Sequence, residues 1–281
     1  MSRNQDRLGG TQQQDTNPPA HIMGEGGFSF VVPTEFVELP SGGRYYHEGH
    51  PLHGETAIEI KQMTAKEEDM LTSKTLLKKG VALDRVISSL IVNKTIDADS
   101  LLVGDRNAII VSTRVSAYGN DYTTKVGCPA CGVTQQYAFD LNSANVYGGE
   151  DLGTVGTTDN GNGTFNIDLE RTKVSVTFKL LTGRDEKAFL SGIELDKKQK
   201  VDRNVTRQLS GMIVAVNGDS NPEAIKYLVH NMPSADARRL RLAYRLTSPN
   251  IDLAQHFECA ECDHAQDMEV PLNADFFWPD R

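Results

Sequence analysis

The hydrophobic pattern changes period along the chain. From Phe28 the residues come in short β-like runs around turns. "TAIEIKQM" alternates apolar and polar positions as a half-buried strand does, and Pro40-Ser41-Gly42-Gly43 marks a turn before it. At Thr64 the period lengthens. Thr64 followed by Glu67 is a capping box, predicting a helix with Met70, Leu71, Leu76 and Leu77 along one face. Lys78 and Lys79 suit its last turn and Gly80 its end. "DRVISSLIVNKTI" predicts a second helix with Val86, Leu90 and either Ile91 or Asn93 turned inward. "NAIIVSTRVSAYG" is ambiguous. Its β-branched residues suit a strand, but Asp105 before it suits a helix cap, and it is read as a helix.

Farther on, "VTQQYAFDL" reads as a strand, "GGEDLGTVGTTDNGNGTF" as a turn-rich insertion or hairpin tip, and "FNIDLERTKVSVTFKLLT" as two strands. Thr182 and Asp185 open a helix over "GRDEKAFLSG". Helices are also predicted over "KKQKVDRNVTRQLSGMI", "NPEAIKYLVHN" and "PSADARRLRLAYRLT". The last has Ser234 as its cap and Leu240, Ala243, Tyr244 and Leu246 as apolar positions. Residues 1–27 are polar, rich in Gln and Gly, and have too few large apolar side chains to offset their ordering entropy. A flexible arm is expected there, either free or ordered on a neighbour.

Composition then bounds the function. A chain of 281 residues with 38% hydrophobic and 24% charged content can bury a real core. Its net charge of −9 argues against a general nucleic-acid or anionic-membrane surface. No apolar run is long enough to span a bilayer, and the N-terminus has no apolar core of a secretory signal. A reducing cytosol, where structural disulfides are rare, is the expected compartment.

The four cysteines form two C-x-x-C pairs: Cys128 and Cys131 in "KVGCPACG", and Cys259 and Cys262 in "HFECAECDHAQ". The flanks match. "GCPACGVTQQYAFDLNSA" and "ECAECDHAQDMEVPLNAD" each run from the pair through a polar stretch into an alternating segment, so each looks like a knuckle leading into a strand. A C-x-x-C turn offers two sulfurs from one loop, and two such turns complete a tetrahedral thiolate shell for Zn2+. A shell with no open position makes the ion structural. Gly127 and Gly132 ease the backbone at the first turn, and Phe257 is placed to shield the ion. The ion would staple mid-chain to C-terminus and close a long loop. An iron–sulfur cluster would use the same ligands. A dithiol redox site is the weaker reading, because each pair is followed by a polar stretch and not by a helix in a βαβ setting. Two disulfides disagree with the compartment, and unrelated thiols disagree with the matched flanks.

Other candidates weigh less. His47, His50 and His53 recur every third residue but lie in a Gly/Pro-rich turn, where solvent-exposed loop histidines are the simpler reading. His256 and His264 flank the second knuckle and suit surface or supporting roles better than ligation. Arg238, Arg239, Arg241 and Arg245 are the one basic concentration, suited to an acidic partner surface. No phosphate-binding loop, nucleophile elbow, H-E-x-x-H or Ser/Cys–His constellation is present, so no enzymatic activity is expected. Phe276, Phe277 and Trp278 either fold back onto the ribbon or anchor a neighbouring subunit.

"FVELPSGGRYYHEG", "AIEIKQMTAKEEDMLTSKTLLKKGVALDRVISSLIVN", "IIVSTRVSAYGNDYTTKVGCPACG" and "FECAECDHAQDMEVPLNADFFWP" together resemble the baseplate protein family of T-even-type contractile-tailed bacteriophages, its hub subunits and hub-assembly proteins in particular. The resemblance runs from about Phe36 to Pro279, with Gly148–Gly163 as a variable insertion. It implies a virion or assembly component made in the bacterial cytoplasm, without catalysis, meeting hub, wedge or tail-tube proteins in multiple copies. The family's paired cysteines fall on Cys128, Cys131, Cys259 and Cys262. The expected fold class is α+β. Residues 28–125 would form an N-terminal α+β domain, 126–147 with 251–281 a split zinc ribbon, and 148–250 an inserted hairpin and helical domain. The expected function is a structural baseplate subunit in the hub or the adjoining wedge. The alternatives are a hub-assembly chaperone that leaves before maturation and a zinc-ribbon nucleic-acid binder.

Overall fold

The computed structural model describes residues 21–23, 29–78, 80–149, 152–271 and 274–277. The architecture is α+β, with small antiparallel sheets gathered around helices. Three residues of the expected arm, His21–Met23, form β1, which pairs with β2 (Ser29–Val31). The rest of that arm lies outside the described residues.

β3 (Thr34–Glu38) and β4 (Ala57–Lys61) form a hairpin whose Val37, Ile58 and Ile60 point into the core. The turn after β3 is anchored from a distance. Ser41 donates its N–H and hydroxyl to the Asp105 carboxylate at 3.0 and 2.7 Å, and the Tyr46 hydroxyl donates to the same carboxylate at 2.7 Å. Asp105 is therefore the buried anchor of this turn and not the helix cap its position suggested. Leu102 occupies the cap position.

Thr64 and Glu67 form the expected capping box at the start of α1 (Ala65–Thr72). The predicted single helix breaks at Ser73, which is extended and starts α2 (Lys74–Lys78). The break turns Leu77 outward while Leu71 stays buried. Lys79 lies outside the described residues. α3 (Ala82–Leu90) stops earlier than its pattern suggested, because Ile91 bridges to Ile60 of β4. Ile91 is accordingly buried and Asn93 exposed.

α4 (Val103–Tyr118) settles the ambiguous segment as a helix. Its apolar residues follow no single stripe because neighbours surround it: Ala108, Ile109, Ile110 and Val111 are all buried. The isoleucine and valine side chains among them each contribute about 1.5–3 kcal/mol on burial. Gly104 lets its first turn lie on the chain at Pro249, where a Cβ would stand 1.9 Å from the carbonyl oxygen.

β5 (Asp121–Gly127) and β6 (Thr134–Asp140) form a hairpin. β7 (Asn145–Tyr147) instead pairs with β12 (Asn250–Asp252), bringing mid-chain beside C-terminus. Between them come α5 (Leu152–Val155) and a four-stranded antiparallel sheet. Its strands are β8 (Thr157–Asp159), β9 (Thr164–Asp168), β10 (Ser175–Lys179) and β11 (Ile213–Val216), in the order β11-β10-β9-β8. Thr182 and Asp185 make the predicted capping box of α6 (Gly183–Gln199). That helix runs on through Lys197, Lys198 and Gln199, where a new helix was expected to begin, and ends at Lys200 in a left-handed conformation. α7 (Asn204–Met212), α8 (Pro222–Asn231) and α9 (Ser234–Thr247) complete the helices. Pro233, not Ser234, holds the cap position of α9. β13 (Ala254–Glu258) and β14 (Ala265–Glu269) form the last hairpin, followed by a 3-10 turn at Ala274–Phe277. Phe276 and Phe277 are buried, so they complete the core and do not project as anchors. Trp278 lies outside the described residues. The Arg114 guanidinium holds the tail down, donating to the carbonyls of Phe276, Gly119 and Asp121 at 2.7, 2.6 and 3.0 Å.

Candidate metal centre

Each C-x-x-C pair sits at the tip of one hairpin, with strands on both sides of the turn. The two tips are built alike. The Cys128 N–H donates to the Val133 carbonyl at 2.8 Å, and the Gly132 N–H donates back to the Cys128 carbonyl at 2.8 Å. In the second tip the Cys259 N–H donates to His264 at 2.9 Å and the Asp263 N–H to Cys259 at 3.0 Å. Gly132 and Asp263 hold the same position, and both have positive φ, 74° and 53°. Glycine takes that conformation freely, and Asp is among the few other residues that tolerate it. The sequence echo between the two cysteine segments is thus a repeated local structure.

The hairpins meet along β6 and β13. The side-chain amide of Gln135 donates to the Glu258 carbonyl and accepts from the Ala260 N–H, both at 3.0 Å. Gln255 does the reciprocal job, donating to the Asp140 carbonyl at 2.8 Å and accepting from its N–H at 3.0 Å. Each amide has one donor and one acceptor side, so it can stand in for a missing strand partner. The Tyr137 hydroxyl donates to the His256 carbonyl at 2.9 Å, and its ring lies 5.1 Å from that of the fully buried Phe257.

This clasp brings the four sulfurs together. Cys128 and Cys262 are 3.7 Å apart, Cys131 and Cys259 are 3.8 Å apart, and all four sulfurs lie within 4.8 Å of one another. A disulfide needs about 2.05 Å, so the four are free thiols. Four thiolates at about 2.3 Å around one tetrahedral ion would be separated by about 3.8 Å. The spacing and the soft donor set both fit such an ion. Cys128 and Cys259 are buried, while Cys131 and Cys262 are exposed, so the group sits at the surface with one side closed by the hairpins.

The electrostatics are those of thiols that cannot all ionise unaided. The Cys131 N–H aimed at the Cys128 sulfur brings that thiol down to about 6. Cys262 moves the other way. The His264 N–H favours its thiolate, but desolvation and the adjoining sulfurs of Cys131, Cys259 and Cys128 push it up to about 12. Cys131 is also raised: the Val133 N–H pulls it down, and desolvation with the Cys128 and Cys259 sulfurs prevails. One negative charge is welcome here, and more than one calls for a cation.

The histidines do not converge on an ion. His50 stacks on Tyr46 and shares a hydrogen bond with Ser100 Oγ at 2.8 Å, His53 reaches the Tyr46 carbonyl at 2.6 Å, and His47 reaches Glu48. They are exposed or half-buried members of a turn. His256 lies 3.6 Å from Asp267, and His264 reaches Gln266. Among the described residues the four cysteines are the one group of three or more His, Cys, Asp or Glu able to share an ion. Gln135 and Gln255 carried no signal in the sequence. Their partners are backbone groups of the opposite hairpin, visible only once the hairpins are docked.

A family model described as "T4 bacteriophage base plate protein" matches residues 32–278, a span that takes in both knuckles. No curated protein and no solved structure matches the chain.

Proposed function

Because this chain belongs to the T4 bacteriophage base plate protein family, we propose that it is a structural subunit of a contractile-tail baseplate, in the hub or the wedge next to it. Cys128, Cys131, Cys259 and Cys262 hold a structural Zn2+ in this reading. The family membership supports the baseplate role, and the sulfur spacing supports the ion.

The ion would supply no chemistry beyond charge neutralisation and a crosslink. The chain's own residues do the rest. Backbone N–H groups of the two tips stabilise thiolates, Gln135 and Gln255 hold the tips in register, and Arg114 closes the C-terminal tail over β5. The result is a rigid edge joining mid-chain to C-terminus. A subunit that must keep its shape under tail contraction gains from such a link, since the loop it closes is long. The proposed role is scaffolding, with hub, wedge or tail-tube proteins as partners, in particles assembled in the bacterial cytoplasm. No described helix is long and apolar enough to cross a membrane.

Mass spectrometry of purified mature particles tests this reading. The chain should be present at a fixed ratio to other baseplate proteins. Its presence on assembly intermediates and absence from mature particles would replace the subunit role with that of a departing assembly factor.

A further inference from the structure

One surface is not used by the metal site. α9 carries Arg238, Arg241 and Arg245 at spacings of three and four, which places them on one face over about 10 Å of helix. All three are exposed. Their neighbour Arg239 pairs with Glu170 at 2.6 Å and donates to the Val155 carbonyl. Among the described residues Arg238, Arg241 and Arg245 make no ion pair, and Arg241 reaches only the Ala237 carbonyl, at 3.4 Å. They line an open groove of about 880 Å³ between α9 and the β7–β12 pair. Leu242, Leu246 and Ile251 supply an apolar lining, and Asp252 and Glu269 stand in the same groove.

Three unpaired guanidinium groups side by side repel one another, and they persist here in a chain of net charge −9. Their cost is relieved by an anionic occupant. The geometry points to a docking site for an acidic segment of a neighbouring protein in the assembly, an inference that rests on the baseplate reading for the partner's setting. An extended segment places alternate side chains about 7 Å apart, so carboxylates on one side of it reach successive arginines of the row. Its other side meets Leu242 and Ile251. A nucleic-acid strand fits less well, because its unbroken run of phosphates would pass Asp252 and Glu269. Guanidinium forks also suit carboxylates, which they bind with two parallel hydrogen bonds.

The test uses the full chain and two fluorescent probes, a decamer of alternating glutamate and alanine and a dodecamer of oligothymidylate, with binding read by anisotropy at low and physiological salt. The decamer should bind, weaken with salt, and lose roughly tenfold or more in affinity in R238E/R241E/R245E. Circular dichroism and metal content report whether that variant keeps its fold. If it does not, R238Q/R241Q/R245Q is read in its place, with a loss in the same direction expected. Equal decamer binding by wild type and variant, or no binding at low salt, overturns the inference. Tighter binding of the oligothymidylate overturns it in favour of nucleic acid. A change from oligomer to monomer in the variant, by light scattering, overturns it in favour of a second copy of this chain. Particle mass spectrometry keeps the two readings apart. A chain present in particles whose variant binds the decamer unchanged loses the groove and keeps the baseplate role. A chain absent from particles loses the baseplate role, while the decamer still decides the groove.

Discussion

Replacing Gln135 with alanine separates the clasp from the metal ligands themselves. The side chain makes two hydrogen bonds to backbone groups of the other hairpin, at the Glu258 carbonyl and the Ala260 N–H. Each such bond contributes about 0.5–1.5 kcal/mol net. Both partners lie near the surface, so water can re-satisfy them, which holds the total near the lower end, about 1–2 kcal/mol. Because the second hairpin brings half of the sulfurs, a looser clasp weakens metal binding by the same free energy, roughly 5- to 30-fold. Gln136 is the control. It is the next residue on the same strand, exposed, and has no side-chain partner across the interface. Gln136→Ala should change metal affinity and stability little, within about 0.5 kcal/mol. The assay is competition for zinc against a chromophoric chelator at fixed pH, with the thermal midpoint of the same samples by circular dichroism. Equal zinc affinity in Gln135→Ala, Gln136→Ala and wild type would refute the reasoning, because the hairpins would then meet without help from this amide.

Three further outcomes follow from the packing. Gly104→Ala should destabilise by about 3 kcal/mol or more, since the new Cβ would stand 1.9 Å from the Pro249 carbonyl, a backbone atom with little freedom to retreat; denaturant titration checks it against Gly153→Ala, which meets nothing within 4 Å. Glu67 is held at about 2 from an ordinary 4.5: burial works against its charge, and hydrogen bonds from Ser89, Thr64 and Lys61 overcome that. A depressed carboxylate stabilises above its unfolded pKa and loses that contribution as pH falls towards its folded one, so the wild type should shed up to about 3 kcal/mol between pH 4.5 and 2. Glu67→Gln should be less stable at pH 7 and flatter across that window in acid titration followed by circular dichroism. Arg114→Met should cost about 2–4 kcal/mol by leaving three carbonyls without their donor, and limited proteolysis should then release the C-terminal tail first.

How much of this was legible beforehand depends on whether the signal was local. The knuckles were readable because C-x-x-C spacing and its flanks describe one turn each, and both turns recur in the structure down to the residue with positive φ. The capping boxes at Thr64 and Thr182 were equally local. Misreadings arose where a distant partner decided the outcome. Asp105 looked like a cap but is the partner of Ser41 and Tyr46, far away in the chain. α3 ends where Ile91 finds Ile60. For the aromatic tail the sequence left folding back and projecting both open, and the choice was made by Tyr122 and Arg114 beneath it, with Phe276 5.1 Å from the Tyr122 ring. α4 hid its period because contacts on several sides erase the polar stripe that makes a helix recognisable. The clasping glutamines are ordinary polar positions until two edge strands face each other.

The central claim is that four distant thiols gather around one structural ion in a baseplate subunit. Its most direct test is the zinc-to-chain ratio of the protein isolated under reducing conditions without added metal, by inductively coupled plasma mass spectrometry, with free thiols titrated on the same sample. The account predicts one zinc per chain, four thiols shielded until a chelator is added, and loss of the metal in Cys262→Ser. A chain that carries no stoichiometric metal and shows four freely reactive thiols while fully folded would contradict it.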